Sequence, residues 1–181
     1  IWKVAARDGH LHCEVLGNAE PRGICGSGLV DAVAVGLDIG AVRPTGRLAV
    51  GDPWPLAGSV AITQNDIRQL QLAKGAIAAG IRLILEQWGA TFDDVGHLYL
   101  AGAFGNYVDR ISARRIGLLQ MPLEKVKPAG NTALQGAKIA LFSPNPEDNR
   151  FAAIRSMTRH VGLNEDPRFQ EVYVEEMVFP A

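Results

Sequence analysis

Three glycine-rich stretches of this chain have residue types that suit close contact between the backbone and a ligand. The first follows the apolar run at 98–101 and reads Ala101-Gly102-Ala103-Phe104-Gly105-Asn106. The apolar run is too short for a buried helix and predicts a buried strand. Glycines directly after such a strand allow a sharp turn, or the approach of a flat or anionic group to the backbone. The same spacing also fits an ordinary strand-to-helix turn.

The second stretch precedes an apolar segment at 29–37 and reads Gly23-Ile24-Cys25-Gly26-Ser27-Gly28. At the start of a helix, these residues would direct backbone N–H groups towards an anion. Ser27 would either cap that helix or donate a hydrogen bond to a phosphate oxygen. The order of the glycines differs from the dinucleotide fingerprint, and the chain lacks the Gly-Lys-Ser/Thr of a P-loop. A structural turn beside a cleft is the alternative interpretation.

The third stretch is Gly130-Asn131, directly before a predicted helix of small residues that contains Gly136. A glycine inside a helix costs about 1 kcal/mol relative to alanine. A helix carries that cost where a ligand or another backbone must come close, so Gly136 indicates either a ligand or tight helix packing.

The longest predicted helix covers 63–89. Thr63 and Asp66 have the spacing of a capping box, and Gly89 suits the left-handed residue that ends a helix. Apolar residues recur in steps of three and four and predict a single buried face. These residues are Ile67, Leu70, Ile77, Ile81, Ile84 and Trp88.

Lys74 interrupts this apolar stripe. Its aliphatic stem could pack while its ammonium reaches water, as long charged side chains often do. Alternatively, Lys74 lies beside a nucleotide cleft. The sequence gives the two interpretations equal support.

Composition limits the classes of function. The 181 residues are 48% hydrophobic, and 18 basic residues against 19 acidic ones give a net charge of −1. Without a basic patch interleaved with aromatic residues we expect no nucleic-acid partner, and without a long apolar run we expect no membrane span. No secretory leader is recognisable after Ile1, so the predicted location is the cytoplasm. Cys13 and Cys25 are predicted to be buried thiols, and no metal site is predicted.

The element pattern alternates strands and helices. It begins with a hairpin at 1–16, whose Asp8-Gly9 pair suits a type I′ turn. Further strands are predicted at 57–62, 97–101, 125–128 and 169–180. Residues 23–40 hold the glycine turn and the helix that follows it, and further helices are predicted at 63–89, 110–119, 131–142 and 150–161, the last started by Pro146. This pattern predicts a single α/β domain with a partly parallel sheet.

Several long motifs occur together in one order. They are 23–31, Ile62-Thr63-Gln64-Asn65-Asp66-Ile67, Gln71-Leu72-Ala73-Lys74, 101–109 and Ile116-Gly117-Leu118-Leu119. In this order they resemble the C-terminal domain of the reductive activators of corrinoid proteins, within the actin, Hsp70 and sugar-kinase superfamily. The resemblance covers most of residues 20–142.

The resemblance implies an α/β, RNase H-like lobe with a mixed sheet flanked by helices. Residues 1–181 would then form the C-terminal lobe of a two-lobed ATPase, whose other lobe and [2Fe-2S] domain lie outside this chain. It implies a nucleotide-binding set from the three glycine stretches and the long helix. This set is Gly26, Ser27, Gly28, Gln71, Lys74, Gly102, Ala103, Phe104, Gly105, Asn106, Gly130 and Asn131.

The resemblance also implies ATP and Mg²⁺ as cofactors and a corrinoid protein, reduced from Co(II) to Co(I), as the partner. No catalytic residue is expected in this lobe, and the isolated chain is expected to be inactive. Two alternatives stay open: a small-molecule kinase of the same superfamily, and an interaction domain without catalysis.

Overall fold

The computed structural model describes residues 1–142 and 150–181. The elements run in the order β1 (Lys3–Arg7), β2 (His10–Glu14), α1 (Gly26–Asp38), β3 (Trp54–Ala57), β4 (Val60–Ile62), α2 (Gln64–Gln87), β5 (Leu98–Ala101), α3 (Gly102–Tyr107), α4 (Arg110–Arg115), β6 (Val126–Gly130), α5 (Thr132–Phe142), α6 (Arg150–Met157) and α7 (Phe169–Met177). The predicted helix start at Pro146 lies outside the described residues. Within the described ranges, no helix combines the length and hydrophobicity that crossing a membrane requires.

The strands pair in three places. β1 with β2 and β3 with β4 form antiparallel hairpins, whereas β5 and β6 are parallel. Asp8 and Gly9 close the first hairpin with φ values of 51° and 78°, the positive pair that a type I′ turn requires. The α/β class is confirmed, and in the described residues its strands form three two-stranded sheets.

The predicted caps of α2 are present. The Thr63 side chain accepts a hydrogen bond from the Asp66 N–H, and the Asp66 carboxylate accepts one from the Thr63 N–H. Gly89 follows the helix with φ +68°. The predicted buried face is confirmed at Ile67, which is fully buried, but is wrong at Ile77, Ile84 and Trp88, which are exposed.

The C-terminal segment is a helix where the sequence predicted a strand. α7 packs along α2, and Val172 is buried there with Ala79 and Leu83. Phe169 and Tyr173 stack with ring centroids 5.8 Å apart, a contact between residues four positions apart on one helix. The alternating pattern predicted a strand because the sequence alone does not reveal the face that α2 offers to this segment.

The main core lies between α1, the β1–β2 hairpin and α4, and α1 is buried on nearly all sides. Ala113 in α4 and Ile116 just after the end of α4 are fully buried in this core. The Asp109 carboxylate caps α4 by accepting hydrogen bonds from two backbone N–H groups. The prediction of two buried thiols is wrong, because Cys25 is exposed and Cys13 is only partly buried.

Candidate functional site

Two of the three glycine stretches meet at one edge of the parallel strand pair. Ala101 at the end of β5 pairs with Gly130 at the end of β6, so both chains leave the sheet at the same edge. Gly102 has φ +82° and Gly130 has φ +67°, a backbone conformation that favours glycine. The carboxyl ends of parallel strands are where open α/β sheets bind ligands.

The space beside Gly102 is open. A Cβ atom built at Gly102 would meet no heavy atom within 4 Å. The positive φ, and not a lack of space, is thus the reason for a glycine at this position. The space that a side chain would occupy is open. Gly105 has a different role, because a Cβ there would lie 3.1 Å from the carbonyl carbon of Leu100. Gly105 lets α3 pack closely on β5.

The turn after β6 starts α5. Asn131 is exposed, and its Oδ1 accepts a hydrogen bond of 3.0 Å from the Leu134 N–H. Asn131 thus caps the first turn of α5. A Cβ at Gly136 would meet no heavy atom within 4 Å, so tight packing does not account for that glycine.

The N-terminus of α1 reaches the Gly102 turn. A Cβ built at Gly26 would lie 3.1 Å from the ring of Phe104. A cleft of about 350 Å³ opens between these two stretches. Its lining combines aromatic and small residues, namely Trp2, Leu16, Cys25, Gly26, Ser27, Ala103, Phe104 and Tyr107. Asn106 lies exposed on the same short helix, α3.

Ser27 and Gly28 hold the first strand against α1. The Ser27 hydroxyl donates a hydrogen bond of 2.9 Å to the Trp2 carbonyl. A Cβ at Gly28 would lie 2.7 Å from the Ile1 carbonyl oxygen. The predicted capping role of Ser27 is wrong, because Cys25 is the N-cap residue and no side chain caps α1. These contacts favour the interpretation of this stretch as a structural turn beside the cleft.

Sequence reasoning missed four residues that line the cleft: Trp2, Leu16, Cys25 and Tyr107. Cys25 is exposed, and its Sγ lies 3.2 Å from the Ser27 hydroxyl oxygen. Partial burial by itself would raise the pKa of the Cys25 thiol. Hydrogen bonds from the Ser27 hydroxyl and from the N–H groups of Gly28 and Ser27 outweigh this effect, so the pKa of the thiol is lowered. Its position before a predicted helix was the available signal, since helix N-termini stabilise thiolates.

Gln71 and Lys74 lie in a different place, against the end of α7. The Gln71 amide donates to the Met177 carbonyl at 3.1 Å, and the Lys74 ammonium donates to the Val178 carbonyl at 2.8 Å. Lys74 is only 2% exposed, so the interpretation of an ammonium in water is wrong. Burial lowers the pKa of Lys74, opposed by the charge of Glu176.

The contacts of Gln71 and Lys74 have a clear structural purpose. The last carbonyls of a helix lack partners within that helix, and a cation is stabilised at its C-terminal end. Gln71 and Lys74 supply the missing donors to α7. In the described contacts both serve the C-terminal segment, so their assignment to the nucleotide stays a prediction.

The fold is an α/β domain in which two glycine turns lie together at one edge of the parallel strand pair. The chain belongs to the family described as the C-terminal domain of RACo, the ASKHA domain, which matches residues 1–181. The fold class and the resemblance noted from the sequence are thereby confirmed.

Individual proteins that resemble this chain are corrinoid activators as well. The chain is 34% identical to the corrinoid activation enzyme RamQ of Eubacterium limosum, over 99% of this chain and 35% of the relative. It is 28% identical to the [Co(II) methylated amine-specific corrinoid protein] reductase of Methanosarcina barkeri, over 88% of this chain and 30% of the relative. A solved structure, the reductive activator for corrinoid, iron-sulfur protein, matches with TM-score 0.82 and 26% identity, over 99% and 32% of the two chains. The chain therefore spans about a third of the length of these relatives.

Proposed function

We propose that this chain is the C-terminal lobe of the ATPase domain in a reductive activator of corrinoid proteins. The whole protein would return an inactive Co(II) corrinoid protein to Co(I). The observation that carries the proposal is the match of the full chain to this family, joined with two glycine turns at one sheet edge. The partners would be a corrinoid protein and the other domains of the same polypeptide, in the cytoplasm.

The glycine edge fits a nucleoside. Gly102 leaves an open space beside the backbone, and the adjoining cleft has the aromatic walls Phe104 and Tyr107. A flat base can pack against such rings, and polar groups are held by the exposed backbone of a glycine turn. In this proposal Gly102, Ala103 and Phe104 hold the nucleoside, and Gly130 and Asn131 lie at its border.

This lobe would bind and orient the nucleotide and exclude water, without a reacting side chain of its own. When bound, Mg²⁺–ATP would supply the free energy of hydrolysis, and a [2Fe-2S] cluster outside this chain would supply the electron for Co(II). Within residues 1–142 and 150–181, no group of three or more His, Cys, Asp and Glu side chains is placed to hold a metal ion. Mg²⁺ bound mainly through phosphate oxygens and water needs few protein ligands.

The test uses the full-length parent protein, a Co(II) corrinoid protein and a low-potential electron donor. We expect the absorbance of Co(I) to appear only with ATP and Mg²⁺. ATP-dependent phosphorylation of a small molecule without cobalt reduction would favour a kinase instead. ATP binding without either reaction would favour an interaction domain.

The isolated chain offers a second test. Phosphoryl transfer depends on groups placed on both sides of the phosphates, and one lobe supplies only one side. We therefore expect no phosphate release above the buffer blank from purified residues 1–181. Hydrolysis by this chain, abolished by a substitution at Gly102, would contradict the assignment of a single lobe.

A further inference from the structure

The last residues of the chain lie in a groove between three elements. The walls are α2, the turn at 43–47 and the end of α4. We call the segment 177–180 the tail and this groove the tail groove. Every residue of the tail is held through its own backbone.

The backbone contacts come from both sides of the groove. On α2, the side chains of Gln71 and Lys74 donate to the Met177 and Val178 carbonyls. On the opposite sides, the Phe179 N–H donates to the Pro44 carbonyl at 2.9 Å, and Arg115 donates to the Pro180 carbonyl at 2.9 Å. Recognition of an extended segment through its main chain is a recurring mode of peptide binding.

Three of the four tail side chains contact the walls of the groove, and that of Met177 lies against Gly75 on α2. Phe179 is 2% exposed and joins the main core, and the Lys74 Nζ lies 5.8 Å from the centre of its ring. Pro180 packs over Gly117, where a Cβ would come within 3.1 Å of the proline ring. Val178, by contrast, is 52% exposed. Phe179 is therefore the buried anchor of the tail, Pro180 adds a contact with Gly117 at the surface, and Val178 is largely exposed.

The walls of the groove are tied together without the tail. Gln64 donates to the Gly46 carbonyl and accepts from the Leu48 N–H, which fixes the turn on α2. The Gln71 amide also donates to the Thr45 carbonyl at 3.2 Å. Arg115 donates to Asp38 on α1 at 2.6 Å. A site held by its own bonds loses little freedom when it binds a ligand.

We propose that the tail groove is a peptide-binding site, and that residues 177–180 of the same chain are its separable occupant. The tail binds as a ligand in cis, anchored by Phe179 and Pro180 and by main-chain hydrogen bonds. When the tail leaves, the groove keeps its form and accepts the same segment in trans. This proposal stands independently of the nucleotide.

The experiment adds a fluorescent peptide with the sequence of residues 175–181 to the full chain and measures its anisotropy. Phe179→Ala removes the anchor from the tail and should free the groove, so this variant should bind the peptide at least about tenfold more tightly than the wild type. Val178→Ala is the matched control, because it alters an exposed tail residue and should behave like the wild type. A peptide carrying alanine at the position of Phe179 should not bind.

Two outcomes would overturn the proposal. In the first, the Phe179→Ala variant folds cooperatively but does not bind the peptide. In the second, the wild type binds the peptide as tightly as the variant does. Hydrogen exchange covers the case in which Phe179→Ala fails to fold. In the wild type, the Phe179 amide should exchange through a local opening, faster than the Val33 amide inside α1. If both amides exchange at one common rate, the tail is part of the global core and is not a ligand.

Discussion

The helix α2 has two faces that differ in composition and in exposure. One face carries Ile77, Ile84 and Trp88, which are 49%, 44% and 82% exposed. The other carries Gln71, Lys74, Ala79 and Leu83, all of which are buried. From Ile77 onwards, the face that periodicity predicts as the core is thus the more exposed one, although Ile67 at its start is buried. Two polar side chains, Gln71 and Lys74, lie in the interior instead.

The difference shows that the neighbouring element decides which face of α2 is buried. α7 supplies an apolar surface through Val172 and two terminal carbonyls that need donors. Gly75 makes the approach possible, because a Cβ there would come within 2.9 Å of the Met177 side chain. The more apolar face instead borders a cleft of about 240 Å³ next to β5.

The largest expected effect comes from replacing a large apolar residue with alanine on the buried face, compared with the same replacement on the exposed face. Leu83→Ala removes a fully buried side chain from the contact with α7. Large-to-small changes of this kind cost about 2–5 kcal/mol of unfolding free energy. Ile84→Ala, one position further on the exposed face, should cost less than about 1 kcal/mol, as is usual for surface positions.

Urea unfolding of both variants measures the two costs. Equal losses would contradict the assignment of the faces, and a larger loss for Ile84→Ala would reverse it. Circular dichroism of the native state should be unchanged in both variants, because alanine keeps the helix propensity high.

A smaller effect tests the polar residue on the buried face. Burial lowers the folded-state pKa of Lys74 below its ordinary value of 10.5. Between the lowered pKa and 10.5 the unfolded chain binds the proton more tightly, so stability rises with pH across this window. Lys74→Met lacks this titration, and the stability of the wild type minus that of the variant should increase as pH rises.

Denaturant unfolding of both chains at several alkaline pH values gives this difference. A difference that does not change with pH would show that the Lys74 ammonium is hydrated in the folded chain. Lys138 on α5 is exposed. Lys138→Met is therefore the control, and it should leave the pH dependence of the wild type unaltered.

The smallest effect concerns the ion pairs at the border of the two faces. Arg82 on α2 lies 2.8 Å from a carboxylate oxygen of Glu175 and also pairs with Glu86. The side chains are partly exposed, so Arg82→Ala should cost only about 0.2–1 kcal/mol. The loss should shrink in high salt, because salt screens exposed charges. A loss independent of salt would mean that Arg82 acts through packing.

Local signals in the sequence predicted much of the fold. The capping box at Thr63 and the end of α2 at Gly89 depend on residues a few positions apart, and both are present. The strand β5 and its glycine turn were predicted for the same reason. The helix α7 and the buried face of α2 were not, because each depends on the other across about ninety residues of chain.

In the candidate site, too, sequence motifs predicted some residues, and others are found only from the folded structure. Motifs identified Gly102 and Gly130, and the parallel pairing of β5 and β6 brings them together. Trp2 lies in no motif, and Tyr107 lies in the motif at 101–109 without having been predicted as a site residue; only the folded chain brings the two together at the cleft. Lys74 and Gln71 lie in a recognisable motif, yet their contacts are with the C-terminal segment.

The central claim is that the glycine edge of this lobe holds the nucleoside, and a pair of glycine substitutions tests it most directly. Gly102 and Gly40 both have positive φ and open space, with φ +82° and +74°. Valine should strain the backbone similarly at both positions, but Gly40 lies at the far end of α1 from the cleft. Calorimetric titration of Mg²⁺–ATP into the full-length parent protein should give an affinity at least about tenfold weaker for Gly102→Val. Gly40→Val should bind like the wild type, and equal affinities of the two variants would contradict the claim.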